Sequence, residues 1–102
     1  MILMSMLFSS QNSSAQITTQ NLRGVIRDKQ SHSPIPGVTV MLLDSTKSIG
    51  TLTDVDGQFF IKALPIGRVS IKAILMGYSP VVIRNLILDA GKELVINFDM
   101  EE

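Results

Sequence analysis

Gly50-Thr51-Leu52-Thr53-Asp54-Val55-Asp56-Gly57-Gln58-Phe59-Phe60-Ile61 is the stretch whose reading decides the fold. Apolar and β-branched residues run into and out of a central Asp-x-Asp-Gly, the chemistry of a tight turn between two strands. A turn aspartate accepts nearby backbone N–H groups, and glycine takes positive φ without a Cβ clash. Asp54 is therefore expected to cap the N–H groups of Asp56 and Gly57. Gly57 is expected to be left-handed where the chain re-enters the sheet.

Working downstream, Phe59, Ile61 and Ala63 alternate with Gln58, Phe60 and Lys62. This is a half-buried strand with one extra aromatic, Phe60, on its outer face. Leu64-Pro65-Ile66-Gly67 turns the chain. Val69, Ile71, Ala73 and Leu75 then alternate with Arg68, Ser70, Lys72 and Ile74, and Met76-Gly77-Tyr78 ends that strand. Residues 81–83 and 86–88 form a sixth run broken by Arg84-Asn85, and residues 94–100 a seventh after the turn at 89–92.

Working upstream, residues 22–28 make a first run, followed by a polar loop at 29–33. Pro34-Ile35-Pro36-Gly37 forces an extended entry into a second run at 38–43, because proline fixes φ and keeps its predecessor out of the helical region. Residues 49–53 form a third, weaker run. No 3.6-residue apolar period persists over three turns after Gln16, so no helix is expected. Seven short runs with regular turn signals predict an all-β, seven-stranded Greek-key β-sandwich with antiparallel strands. Shared parity places Val40, Leu42, Phe59, Ile61, Val69, Ile71, Ile96 and Phe98 in its core.

A chain of 102 residues holds one domain. Nine basic and nine acidic residues cancel, which gives no electrostatic case for nucleic acid or an anionic membrane surface. Charged residues are 18% of the chain, below the roughly 25% of an average soluble domain, and the polar surface is Ser/Thr/Asn/Gln-rich. That surface suits an exported protein or a module packed against another. Without cysteine, neither a disulfide framework nor a thiolate metal site can form.

The apolar run at residues 1–8 and the small residues Ser13 and Ala15 read as a signal peptide over 1–15, although it lacks the usual basic start. The run is short of the about 20 apolar residues that a spanning helix needs, and no direct membrane span is expected in the mature chain. Residues 16–21 read as a linker and 22–100 as the β-sandwich domain.

Candidate chemistry is sparse. Asp54-x-Asp56-Gly57 is part of a calcium-loop pattern, yet that register puts Leu52 and Ala63 at the first and last ligand positions. The turn is therefore structural, and no metal or cofactor is expected. His32, the single histidine, lies in the polar loop before Pro34 and is expected to be solvated. A zinc site needs at least two histidine ligands. A serine nucleophile would have only His32 as its base, with no G-x-S-x-G elbow around any serine, so no catalytic residue is assigned. Tyr78 is expected to cover one end of the sandwich while its hydroxyl bonds a loop backbone; glycan stacking is the sharper alternative. Phe60 and Tyr78 are the candidate contact surface.

Gly24-x-Ile26-x-Asp28, Pro36-Gly37-Val38-Thr39-Val40, Gly50-Thr51-x-Thr53-Asp54-x-Asp56-Gly57-x-Phe59 and Met76-Gly77-Tyr78 occur in that order. This series resembles the carboxypeptidase regulatory-like domain, a transthyretin-like sandwich. It is most similar to the variety at the N-terminus of TonB-dependent outer-membrane receptors of Bacteroidetes-type bacteria, over residues 22–100. The resemblance implies a non-catalytic accessory module, exported to the periplasm or outer membrane, with a receptor plug and barrel or another envelope protein as partner. Pro36, Gly37, Gly57 and Gly77 then sit where turns need them. Two other readings stand beside it. A surface adhesion module would bind protein or glycan through one sheet. A transthyretin-like hydrolase would carry several histidines and a C-terminal Tyr-Arg-Gly-Ser, whereas this chain has one histidine and Asp99-Met100-Glu101-Glu102.

Overall fold

The computed structural model describes residues 18–43, 45 and 48–102. The expected signal peptide and the cleavage point before Gln16 lie outside the described residues. Eight strands follow in order: β1 Thr19–Asp28, β2 Thr39–Leu42, β3 Gly50–Leu52, β4 Gln58–Pro65, β5 Gly67–Ile74, β6 Val81–Leu88, β7 Leu94–Val95 and β8 Phe98–Met100. β1 starts at Thr19, so residues 19–21 belong to the strand and not to a linker.

Two four-stranded sheets face each other. One is ordered β3-β2-β5-β6; the other has β1 at its centre, with β4 on one side and β7 and β8 on the other. The all-β sandwich expected from the runs is the fold. Its departure from an all-antiparallel arrangement is at β1, which pairs antiparallel with β4 but parallel with both β7 and β8. The expected seventh strand is split in two: the Ile96 N–H still bonds the Arg23 carbonyl at 2.8 Å, but the Asn97 side chain, through Oδ1, takes the Val25 N–H at 2.9 Å.

The core between the sheets is aliphatic around one buried aromatic, Phe59, and is built on Leu22, Ile26, Leu64, Ile71 and Leu88 with Val38, Val40, Ile61 and Met100. Of the expected core, Val40, Phe59, Ile61 and Ile71 are buried; Leu42, Val69, Ile96 and Phe98 are half-buried and pack against it. The Phe59 and Phe98 rings meet tilted, with centroids 6.2 Å apart.

Two bulges reset which side chains face inward. Ala63, expected inward, has φ +61° and is exposed, and its neighbour Leu64 is buried instead. The β1–β4 register shifts there, and Asn21 Oδ1 accepts the freed Ala63 N–H at 3.1 Å. The Arg84-Asn85 break is likewise a bulge inside a continuous β6, with Asn85 at φ +62°. It brings Leu86 and Leu88 to the same inner face as Val81 and Ile83, which a strict period of two would not.

Candidate functional site

The Asp-Gly turn and the Pro-Gly loop are joined at one end of the sandwich. Asp54 Oδ1 accepts the N–H groups of Asp56 and Gln58, each at 2.9 Å. The Gly57 N–H goes to the Asp54 carbonyl instead of its carboxylate, because the turn closes through the backbone at that residue. Asp56 is exposed and Gly57 has φ +72°.

Gly57 also has a second constraint. A Cβ there would lie 2.6 Å from the Ile26 carbonyl oxygen and 2.9 Å from Pro34 Cβ, while the Gly57 carbonyl accepts the Ile26 N–H at 2.9 Å. Gly37 and Gly77 have φ +78° and +93°, with nothing in the space a Cβ would fill. Pro36 precedes Gly37 in an exposed bend.

Thr53 is the residue that sequence reasoning passed over. It is buried, its hydroxyl accepts the Val38 N–H at 2.8 Å and donates to the Ile35 carbonyl at 2.6 Å. Its own backbone bonds Val38 and Gly37. Four hydrogen bonds thus fix residues 35–38 to the start of the turn. A threonine between Leu52 and Asp54 looks like any strand residue, so no local signal marks it.

Tyr78 is tied down as well, but to a side chain and not to loop backbone as expected. Its hydroxyl donates to Asp28 Oδ2 at 2.8 Å, and Asp28 Oδ1 accepts the N–H groups of Gln30 and Ser31. The Ser31 N–H first, then the Tyr78 hydroxyl and the Gln30 N–H, hold the Asp28 carboxyl below its ordinary range. The bond to Asp28 first, then burial and the Asp28 charge, push the Tyr78 phenol up. His32 is exposed at φ +63° in the same loop.

Phe60 stands apart from Tyr78, on the outer face of the β1-centred sheet. It is 47% exposed, and Arg23 and then Val95 lie beside it in register. The Arg23 guanidinium pairs with Glu93 at 2.6 Å. The two candidate contact residues therefore do not make one surface. Among the described residues, no group of three His, Asp or Glu side chains could hold a metal ion, and no helix is long and apolar enough to cross a membrane.

A transthyretin-like β-sandwich whose ordered polar side chains fasten its own loops is the class this geometry defines. The chain belongs to the carboxypeptidase regulatory-like domain family, whose model matches residues 21–101. Among solved structures it is similar to a chain of the type II cohesin–X-dockerin complex of Acetivibrio cellulolyticus, with TM-score 0.64 and 24% identity over 79% of this chain. It spans 56% of that chain's length. The major pilin subunit of Bacillus cereus matches with TM-score 0.64 and 13% identity, over 82% of this chain and 30% of the pilin. The 5-hydroxyisourate hydrolase of Klebsiella pneumoniae matches with TM-score 0.60 and 19% identity, over 80% of this chain and 90% of the hydrolase. At these identities the likeness is one of fold. No curated protein sequence matches the chain significantly.

Proposed function

We propose that the chain is a non-catalytic interaction module of the bacterial cell envelope, serving as the N-terminal periplasmic extension of a TonB-dependent outer-membrane receptor. Family membership over residues 21–101 is the observation that supports the module reading, and the receptor context rests on the resemblance of the motif series. The site chemistry supports it. Asp28, Thr53, Asp54 and Tyr78 spend their hydrogen bonds on loop backbone or on one another, which leaves no nucleophile–base pair assembled among them. A fold shared with a pilin subunit supports an exported module that works through protein contacts.

The hydrolase neighbour favours a second reading, that of a transthyretin-like enzyme. One exposed histidine offers little to build a catalytic base around. Two measurements test the proposal. Fractionation of the native host, with an antibody against the sandwich, should find it in the outer-membrane fraction within a receptor-sized polypeptide; a free cytoplasmic product would refute the envelope assignment. Purified protein should show no turnover of 5-hydroxyisourate, and turnover abolished by His32→Ala would establish the enzyme instead.

A further inference from the structure

Nine basic and nine acidic residues cancel over the chain but not within the fold. Strands β2, β3, β5 and β6 carry Arg68, Lys72 and Arg84 and no carboxylate. The remainder of the chain therefore holds six basic residues against nine acidic ones. The ion pairs among the described residues are Arg23–Glu93 and Lys29–Glu101, and neither involves this sheet. A face built only for solubility mixes both signs.

The three cations share one surface with aliphatic residues. Val69, Ile71 and Ala73 face the core, so Arg68, Ser70, Lys72 and Ile74 occupy the outer face of β5. On β6, Val82 lies beside Lys72 and Ile87 beside Arg68 in register, with Arg84 between them at the bulge. Val82 is 41% and Ile87 55% exposed. Arg68 and Arg84 also reach the rim of a cleft of about 690 Å³ that opens between the two sheets, with Leu42, Ile49 and Val69 on one side and Ala63 and Pro65 on the other. Arg84 and the bulge alone could be read as protection of an edge strand against stray pairing. Arg68 and Lys72 lie on β5, which is an interior strand, so edge protection does not account for them.

We propose that the outer face of β5 and β6 is a docking surface for an acidic, aliphatic-bearing extended segment of a separate polypeptide. The inference rests on the interaction-module reading and gives it a location and a partner chemistry. Carboxylates of the partner would pair with the two guanidinium groups and the Lys72 ammonium, and its aliphatic residues would cover Ile74, Val82 and Ile87. A second copy docked about a two-fold axis would set the three cations against themselves, which disfavours self-pairing here. The Phe60 face is a poorer match, because Glu93 already neutralises its Arg23.

The test is an isotope-labelled sample of the chain titrated with a synthetic peptide alternating glutamate and valine, beside counterparts carrying lysine or glutamine for glutamate. The glutamate peptide should shift amides of β5 and β6, weaken with salt, and lose about tenfold or more in affinity to an R68E/R84E double variant whose thermal melt shows it folded. Phe60→Ser should bind as well as the wild type. No shifts, equal binding of the lysine peptide, or equal binding by the double variant overturns the surface. Shifts centred on Phe60 and Val95 also overturn it, yet leave the interaction-module reading standing. Dimerisation of the chain that the double variant abolishes would give the face to a second copy and equally overturn the proposal. Enzymatic turnover, by contrast, would sink the module reading without moving these shifts.

Discussion

The Thr53 hydroxyl and the Ile35 carbonyl, 18 residues apart, meet at 2.6 Å in the interior, and the same hydroxyl accepts the Val38 N–H. Thr53→Val keeps the shape but leaves a buried carbonyl and a buried N–H without partners. Each such loss costs about 1–3 kcal/mol, so the variant should lose about 2–4 kcal/mol in chemical denaturation. Thr53→Ser keeps both bonds and should lose about 1 kcal/mol, mostly the buried methyl. Equal stability of the two variants would show that the hydroxyl is not what holds residues 35–38.

Gly57 and Gly37 have nearly the same φ, +72° and +78°, but different surroundings. Gly37→Ala should cost only the left-handed backbone penalty, about 1 kcal/mol. Gly57→Ala pays that and also drives a methyl to 2.6 Å from the Ile26 carbonyl oxygen. It should cost about 2 kcal/mol or more beyond the Gly37 variant, and Gly57→Val more again. Equilibrium melts of the two alanine variants make the comparison, and equal losses would reduce Gly57 to a turn residue.

What the sequence shows and hides follows from the range of each interaction. The Asp54–Gly57 turn and the alternation of β5 are local, and both are legible. Ala63 faces outward, against the alternation, because of a bulge, and the group that satisfies the bulge, Asn21, lies 42 residues away. The parallel pairing of β7 and β8 with β1 joins segments about 70 residues apart, for which a local period carries no information. The cationic face was invisible for the same reason. Arg68, Lys72 and Arg84 look interspersed until the strands are sorted into sheets.

Gly24 shows how close that long-range pairing is. A Cβ there would fall 1.7 Å from the Ile96 carbonyl oxygen, nearer than any side-chain adjustment can relieve. Gly24→Ala should therefore detach the β7–β8 edge. Hydrogen exchange should show lost protection first at Ile96, whose N–H bonds the Arg23 carbonyl, before β5 and β6 respond. Uniform loss across both sheets would mean that the β1 edge is not a separable unit.

Asp54 tests the structural reading of the turn. Its carboxylate accepts two backbone N–H groups, so Asp54→Ala should cost about 1–2 kcal/mol. Calcium should leave the melting temperature of both proteins unchanged. A calcium-induced rise in the wild type that Asp54→Ala lacks would make the carboxylates ligands.

The Asp28–Tyr78 bond makes stability depend on pH at both ends. Asp28 is held below its ordinary range, so its contribution is present above the unfolded value of about 3.9 and is lost as pH falls through the lower folded value. Tyr78 is raised, so its contribution is present below the unfolded value of about 10 and is lost as pH climbs through the folded one. Tyr78→Phe removes one cause of the first shift and all of the second. The Asp28 carboxyl of the variant should titrate at higher pH by NMR, while staying below its ordinary range because the Gln30 and Ser31 N–H bonds remain. Melting temperatures of the variant should fall less steeply on acidification below about pH 4, and the alkaline loss assigned to Tyr78 should vanish. An unchanged Asp28 titration would mean that the two loop N–H groups alone set its acidity.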